Sequence, residues 1–122
     1  MEKQYEIMQQ ALVLAETLQE GILHIQTELN QSNFSNTMYL FEDVVHAFSS
    51  IESANKQLNE SVISEELFEQ TDKVKKAIEL VVNQYELGNK GKVQEILQFN
   101  LLPAIKRWRT TMEQSFHPFI LN

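Results

Sequence analysis

Residues 65–88 read Glu65-Glu66-Leu67-Phe68-Glu69-Gln70-Thr71-Asp72-Lys73-Val74-Lys75-Lys76-Ala77-Ile78-Glu79-Leu80-Val81-Val82-Asn83-Gln84-Tyr85-Glu86-Leu87-Gly88. Leu67, Thr71, Val74, Ile78, Val81 and Tyr85 recur in steps of four and three, the spacing of one helix face. Ser64 is a suitable N-cap, and Glu65 and Glu66 sit where the positive end of the helix dipole favours carboxylates. Gly88 suits the residue just past a helix end, because it tolerates a left-handed backbone. The stretch predicts a complete helix over 65–87, with its start and stop signals in place.

The same pattern extends in both directions. Over 3–30, the apolar face is Tyr5, Met8, Leu12, Ala15, Leu18, Ile22, Ile25 and Leu29. Gly21 lies inside it, which predicts a bend. Gln31-Ser32-Asn33 is a break, with Ser32 or Asn33 as the cap of the next helix. Over 34–58, the stripe is Phe34, Met38, Phe41, Val45, Phe48, Ile51 and Leu58, widened by Val44. Over 90–115, it is Val93, Leu97, Leu101, Ala104, Trp108 and Met112. Pro103 predicts a kink there, because it lacks an N–H and crowds the carbonyl of Phe99. Pro118 is expected to stop the helix, leaving an apolar tail over 116–122.

Four helices joined by short connections predict an all-α fold: one antiparallel up-down-up-down four-helix bundle over 1–122. At about 25 residues each, the helices would be roughly 35–40 Å long. A weak repeat at an offset of 56 aligns Leu18, Ile22, Ile25, Leu29 and Asn33 with Val74, Ile78, Val81, Tyr85 and Asn89. Two similar helical hairpins would produce it, and so would shared bundle periodicity.

Composition narrows the function classes. The 122 residues are 43% hydrophobic and 22% charged, ordinary for a globular chain that buries one core. There is no cysteine, which excludes disulfides and thiol chemistry and fits a cytoplasmic location. No apolar run reaches the roughly 18 residues of a membrane span. The net charge of −7 argues against nucleic acid as a partner. It is unevenly placed: residues 1–72 hold two lysines against thirteen carboxylates, a net −11, and residues 73–122 hold eight cations against four carboxylates, a net +4.

Three constellations test for chemistry. Glu16, Glu20, His24, Asp43 and His46 approach a metal-binding pattern, but a second Glu-x-x-His motif is missing and these residues lie off their apolar stripes. Solvated polar faces explain them better, so no metal or other cofactor is expected. Gly88-Asn89-Lys90-Gly91-Lys92 resembles a phosphate loop only superficially: Glu86 and Val93 stand where glycine and Ser or Thr are needed, and a helix precedes it. No nucleophile–base pair is legible, so no catalytic residue is assigned and the chain is read as not an enzyme.

Two surfaces carry the functional hints. Ile96, Phe99 and Leu102 leave the main stripe of the last helix, making it apolar on nearly all sides. Such a helix needs a cover: the C-terminal tail, a second copy or another protein. Lys73, Lys76, Lys106 and Arg107, with Lys75 and Arg109, reach a similar height on neighbouring helices. Neutralisation by Glu16, Glu20, Asp43 and Glu52 is the preferred reading, and an anion- or acidic-protein-binding face is the other. Together these features indicate a non-enzymatic interaction or adaptor module that self-associates, as a dimer, with room for a protein partner and no role at membranes. The alternative is a metal-binding bundle with redox or hydrolytic activity.

The stretch Leu40-Phe41-Glu42-Asp43-Val44-Val45-His46-Ala47-Phe48-Ser49-Ser50-Ile51-Glu52, with Leu97-Gln98-Phe99-Asn100-Leu101-Leu102-Pro103-Ala104, resembles a small family of uncharacterised helical-bundle proteins of low-GC Gram-positive bacteria. The resemblance spans nearly the whole chain. It implies a helical fold and no known activity, cofactor or catalytic residue. In size and shape the chain is also similar to flagellar export chaperones, a likeness of fold type alone, since their signature residues are not evident.

Overall fold

The computed structural model describes residues 2–31 and 33–120. Its elements are α1 (Glu2–Asn30), α2 (Phe34–Asn55), α3 (Glu65–Glu86), α4 (Lys90–Ile96), a π-helical turn (Leu97–Leu101) and α5 (Leu102–Ile120). The described residues contain no strand. α4, the π-turn and α5 follow without a break, so the fold is all-helical, with four long helical segments.

The start and stop signals of α3 act as expected. The Ser64 side chain accepts from the Leu67 N–H at 3.0 Å. Gly88 takes a φ of 68°, and its N–H bonds the Tyr85 carbonyl. The cap of α2 departs from expectation. Asn33 holds the N-cap position without a side-chain cap bond and donates instead to the Glu28 carboxylate at 3.3 Å. Ser32 lies outside the described residues. α1 is continuous through Gly21.

α2 ends at Asn55, three residues short of the expected 58. Gln57 and Leu58 donate to Ala54 and Asn55, so the chain tightens into i, i+3 turns there. Leu58 and Val62 are still buried, plugging the core from the connection rather than from a helix. Gln4 holds that connection, donating to the Gln57 carbonyl at 3.1 Å and accepting from the Asn59 N–H at 3.0 Å. Gln4 thereby takes the inward place in the first turn of α1, and Tyr5, expected on the apolar face, is exposed.

A second correction concerns the phase of α2. Thr37 is fully buried and Met38 is exposed, so the inner face runs Thr37, Phe41, Val44, Phe48, Ile51, with Val45 only half-buried. Hydrogen bonding explains why a threonine is inside. Its hydroxyl accepts from the Tyr85 phenol at 3.0 Å and donates to the Phe34 carbonyl at 2.6 Å. Tyr85 lies between Phe34 and Phe41, with ring centroids 5.3 and 5.6 Å away. A satisfied hydroxyl is stable in the core.

Just before Pro103, where a kink is expected, the helix widens into the π-turn. The Leu102 N–H donates five residues back, to the Leu97 carbonyl. This wider turn lies just before the proline, where an α-helical bond to Phe99 is impossible. Val93, Leu97, Leu101, Ala104, Trp108 and Met112 are all buried, and Ile105 joins them.

Pro118 does not stop the last helix. α5 continues to Ile120, beyond the expected end at 115, because the proline φ is compatible with a helix and only one bond is lost. Phe116 is fully buried and Ile120 is half-buried against the core, so this turn is packed rather than a separate tail. Leu121 and Asn122 lie outside the described residues.

All four segments feed one hydrophobic cluster. At its centre, the Trp108 indole N–H donates to the Thr71 hydroxyl at 3.1 Å, and its ring lies 5.4 Å from that of Phe48. Each such large buried side chain contributes roughly 1.5–3 kcal/mol of transfer free energy.

Candidate interaction surface

Two hydrogen bonds set the register between α3 and the last segment. Ser64 bonds Ser115 at 3.0 Å, and Thr71 bonds Trp108 at 3.1 Å. Seven residues forward on α3 match seven residues back on α5. Continuing the count puts Lys73 level with Lys106, and Leu80 level with Phe99.

The three apolar residues singled out in the sequence separate here. Phe99, in the π-turn, is 67% exposed. Ile96 and Leu102 are half-buried and pack against the core. Leu80, not anticipated, is 47% exposed at the height of Phe99. The end of α5 does not reach this place, because the Ser64–Ser115 bond ties it to the start of α3.

Lys73, Lys76, Lys106 and Arg107 are all exposed. Lys76 pairs within its own helix, with Asp72 at 3.0 Å. Lys75 reaches Glu52 of α2 at 3.9 Å, and Arg109 donates to Gln19 of α1 at 2.7 Å. Among the described residues, no ion-pair partner meets Lys73, Lys106 or Arg107. Of the carboxylates expected to neutralise this face, Glu52 alone pairs with a cation among the described residues; Glu16, Glu20 and Asp43 are exposed and make no ion pair there.

A hollow of about 190 Å³ opens between α1 and α2, lined by Leu18, Gly21, Leu40, Asp43, Val44 and Ala47 among others. It was not read from the sequence, although a glycine inside an otherwise regular helix was its visible trace. A Cβ built on Gly21 would lie 3.6 Å from the nearest atom of Val44, an ordinary contact. A second apolar cleft, about 340 Å³, lies between α2 and α3 over Phe48, Ile78 and Val82 and is crossed by the Lys75–Glu52 pair.

The polar constellations are dispersed. His24, His46, Glu16, Glu20 and Asp43 are exposed, and His24 lies 3.8 Å from Glu28. Among the described residues, no three His, Asp or Glu side chains come together as a metal-holding group. Residues 88–92 form an inter-helix turn, in which the Asn89 side chain accepts from the Lys92 N–H at 3.1 Å. Burial raises the Tyr85 phenol above its ordinary pKa, and its bond to Thr37 offsets part of that rise. Among the described residues, no helix is long and apolar enough to cross a membrane.

Residues 6–111 match a family model described as a Domain of unknown function (DUF8042). No match was found among curated proteins or among solved structures.

Proposed function

The chain belongs to the DUF8042 family, and from that premise we propose that it is a non-enzymatic protein–protein interaction module that self-associates through the surface around Phe99. Its scaffold, on this reading, is a single up-down-up-down four-helix bundle. The contacts between helix ends support that arrangement: Gln4 with Gln57, Asn30 with Gln94, Thr37 with Tyr85 and Ser64 with Ser115.

One observation carries the functional reading. Phe99 is two-thirds exposed in the π-turn of the last helical segment, and Leu80, also exposed, stands level with it on α3. Exposed apolar groups at one height on a helical surface are the kind of feature that marks an interaction site. The non-enzymatic part of the reading rests on the dispersal of histidines, serines and carboxylates over solvent-facing helix surfaces.

Light scattering tests it directly. The wild type should show a mass above the 14.2 kDa of one chain, and Phe99→Glu should return it to that value with unchanged helicity. A wild type that is monomeric at high concentration would overturn the proposal.

A further inference from the structure

Phe99 projects from one part of the molecule, about 10 Å along the helix from the exposed Lys106; the hollow at Gly21 opens in another, lined by Asp43 and next to Glu20, both exposed and, among the described residues, in no ion pair. We propose that the two fit each other between copies. Phe99 of one copy enters the α1–α2 hollow of the next, and Lys73, Lys106 and Arg107 face the carboxylates of Glu20 and Asp43. This inference rests on the self-association reading and supplies its geometry.

Three physical arguments select this pairing. The first is charge. A two-fold contact of Phe99 on Phe99 would bring together two faces from the half of the chain that carries a net +4, and like charge on both sides disfavours a contact. A head-to-tail contact sets the same cations against the acidic half of the chain, where residues 1–72 carry a net −11. The overall repulsion between copies of charge −7 is weak beyond about 8 Å at physiological salt, so the facing pairs dominate at contact.

The second argument is the glycine. A glycine in a helix interior disfavours the helix relative to alanine. At Gly21 the neighbouring atoms leave room for a Cβ, so packing within one copy does not require the glycine. An open hollow against a second copy does. The third argument is the lining. Leu18, Leu40, Val44 and Ala47 offer the ring an apolar wall, and Asp43 stands among them to meet a cation.

The experiment uses two variants that block opposite ends of the contact. Phe99→Glu removes the knob, and Gly21→Leu fills the hole. Asp43→Lys, at an exposed position, is a second way to spoil the hole without touching the core. Association is followed by light scattering at low and high salt, with circular dichroism as the check on folding. Each variant alone should associate at least tenfold more weakly than the wild type. An equimolar mixture of Phe99→Glu with either hole variant should form a 1:1 complex, because one intact knob and one intact hole remain, and salt should weaken it. Undiminished association of both hole variants, or no complex in the mixtures, would overturn this geometry while leaving self-association standing. A monomeric wild type would overturn both.

Discussion

The Thr71 hydroxyl accepts from the Trp108 indole N–H at 3.1 Å while donating to the Leu67 carbonyl at 2.8 Å. One side chain thus satisfies the polar edge of the largest buried residue and fixes the register between α3 and α5. The same register puts Leu80 level with Phe99 and Lys73 level with Lys106, so the core bond and the surface patch share one helical alignment.

Trp108 is the only tryptophan and is fully buried. Its fluorescence should be blue-shifted and resistant to iodide quenching. Trp108→Ala should cost about 3–5 kcal/mol in denaturant unfolding. Thr71→Val keeps the shape but strands the indole N–H, at about 1–3 kcal/mol. A solvent-like emission maximum would contradict the packing.

Gly21→Ala should stabilise the fold by up to about 1 kcal/mol, since alanine favours the helix and the added Cβ makes an ordinary contact with Val44. Thermal unfolding checks it, and a loss of stability would mean that the hollow is closed in solution.

Gly88 should behave oppositely. At a φ of 68° a side chain is strained whatever the space around it. Gly88→Ala should destabilise by about 1–2 kcal/mol, with Gly88→Asn milder. Equal stabilities of the three proteins in urea would count against the left-handed turn.

Tyr85 makes stability depend on alkaline pH. Its folded pKa lies above the ordinary 10.0, chiefly because burial disfavours the phenolate. The unfolded chain therefore loses this proton first. The stabilisation is complete below about pH 10 and is lost as pH rises through the folded value. Denaturant unfolding across that window should show the decline, and Tyr85→Phe should reduce it while also losing the bond to Thr37. Identical pH profiles for the two proteins would rule out this origin.

Much of the helical layout was legible because it depends on local periodicity. The stripe of α3, the Ser64 cap, Gly88 and the inward row from Val93 to Met112 all follow from residues three or four apart. The errors lie where a distant partner decided the outcome. Thr37 is inside because Tyr85 binds it across 48 residues, and Tyr5 is outside because Gln4 is held by the connection at residues 57–59. Pro118 stays helical in a turn where Phe116 is buried in the core, at the loss of only one bond. The candidate surface divides the same way. Phe99 stood out from the phase of its own helix. Leu80 at the same height, the lack of ion pairs at Lys106 and Arg107 among the described residues, and the hollow facing Val44 needed two helices to be set side by side. Sequence by itself determined the four helical segments, since a helix satisfies its backbone within itself. Tertiary structure decided which side chains meet, since those contacts join residues far apart in the chain.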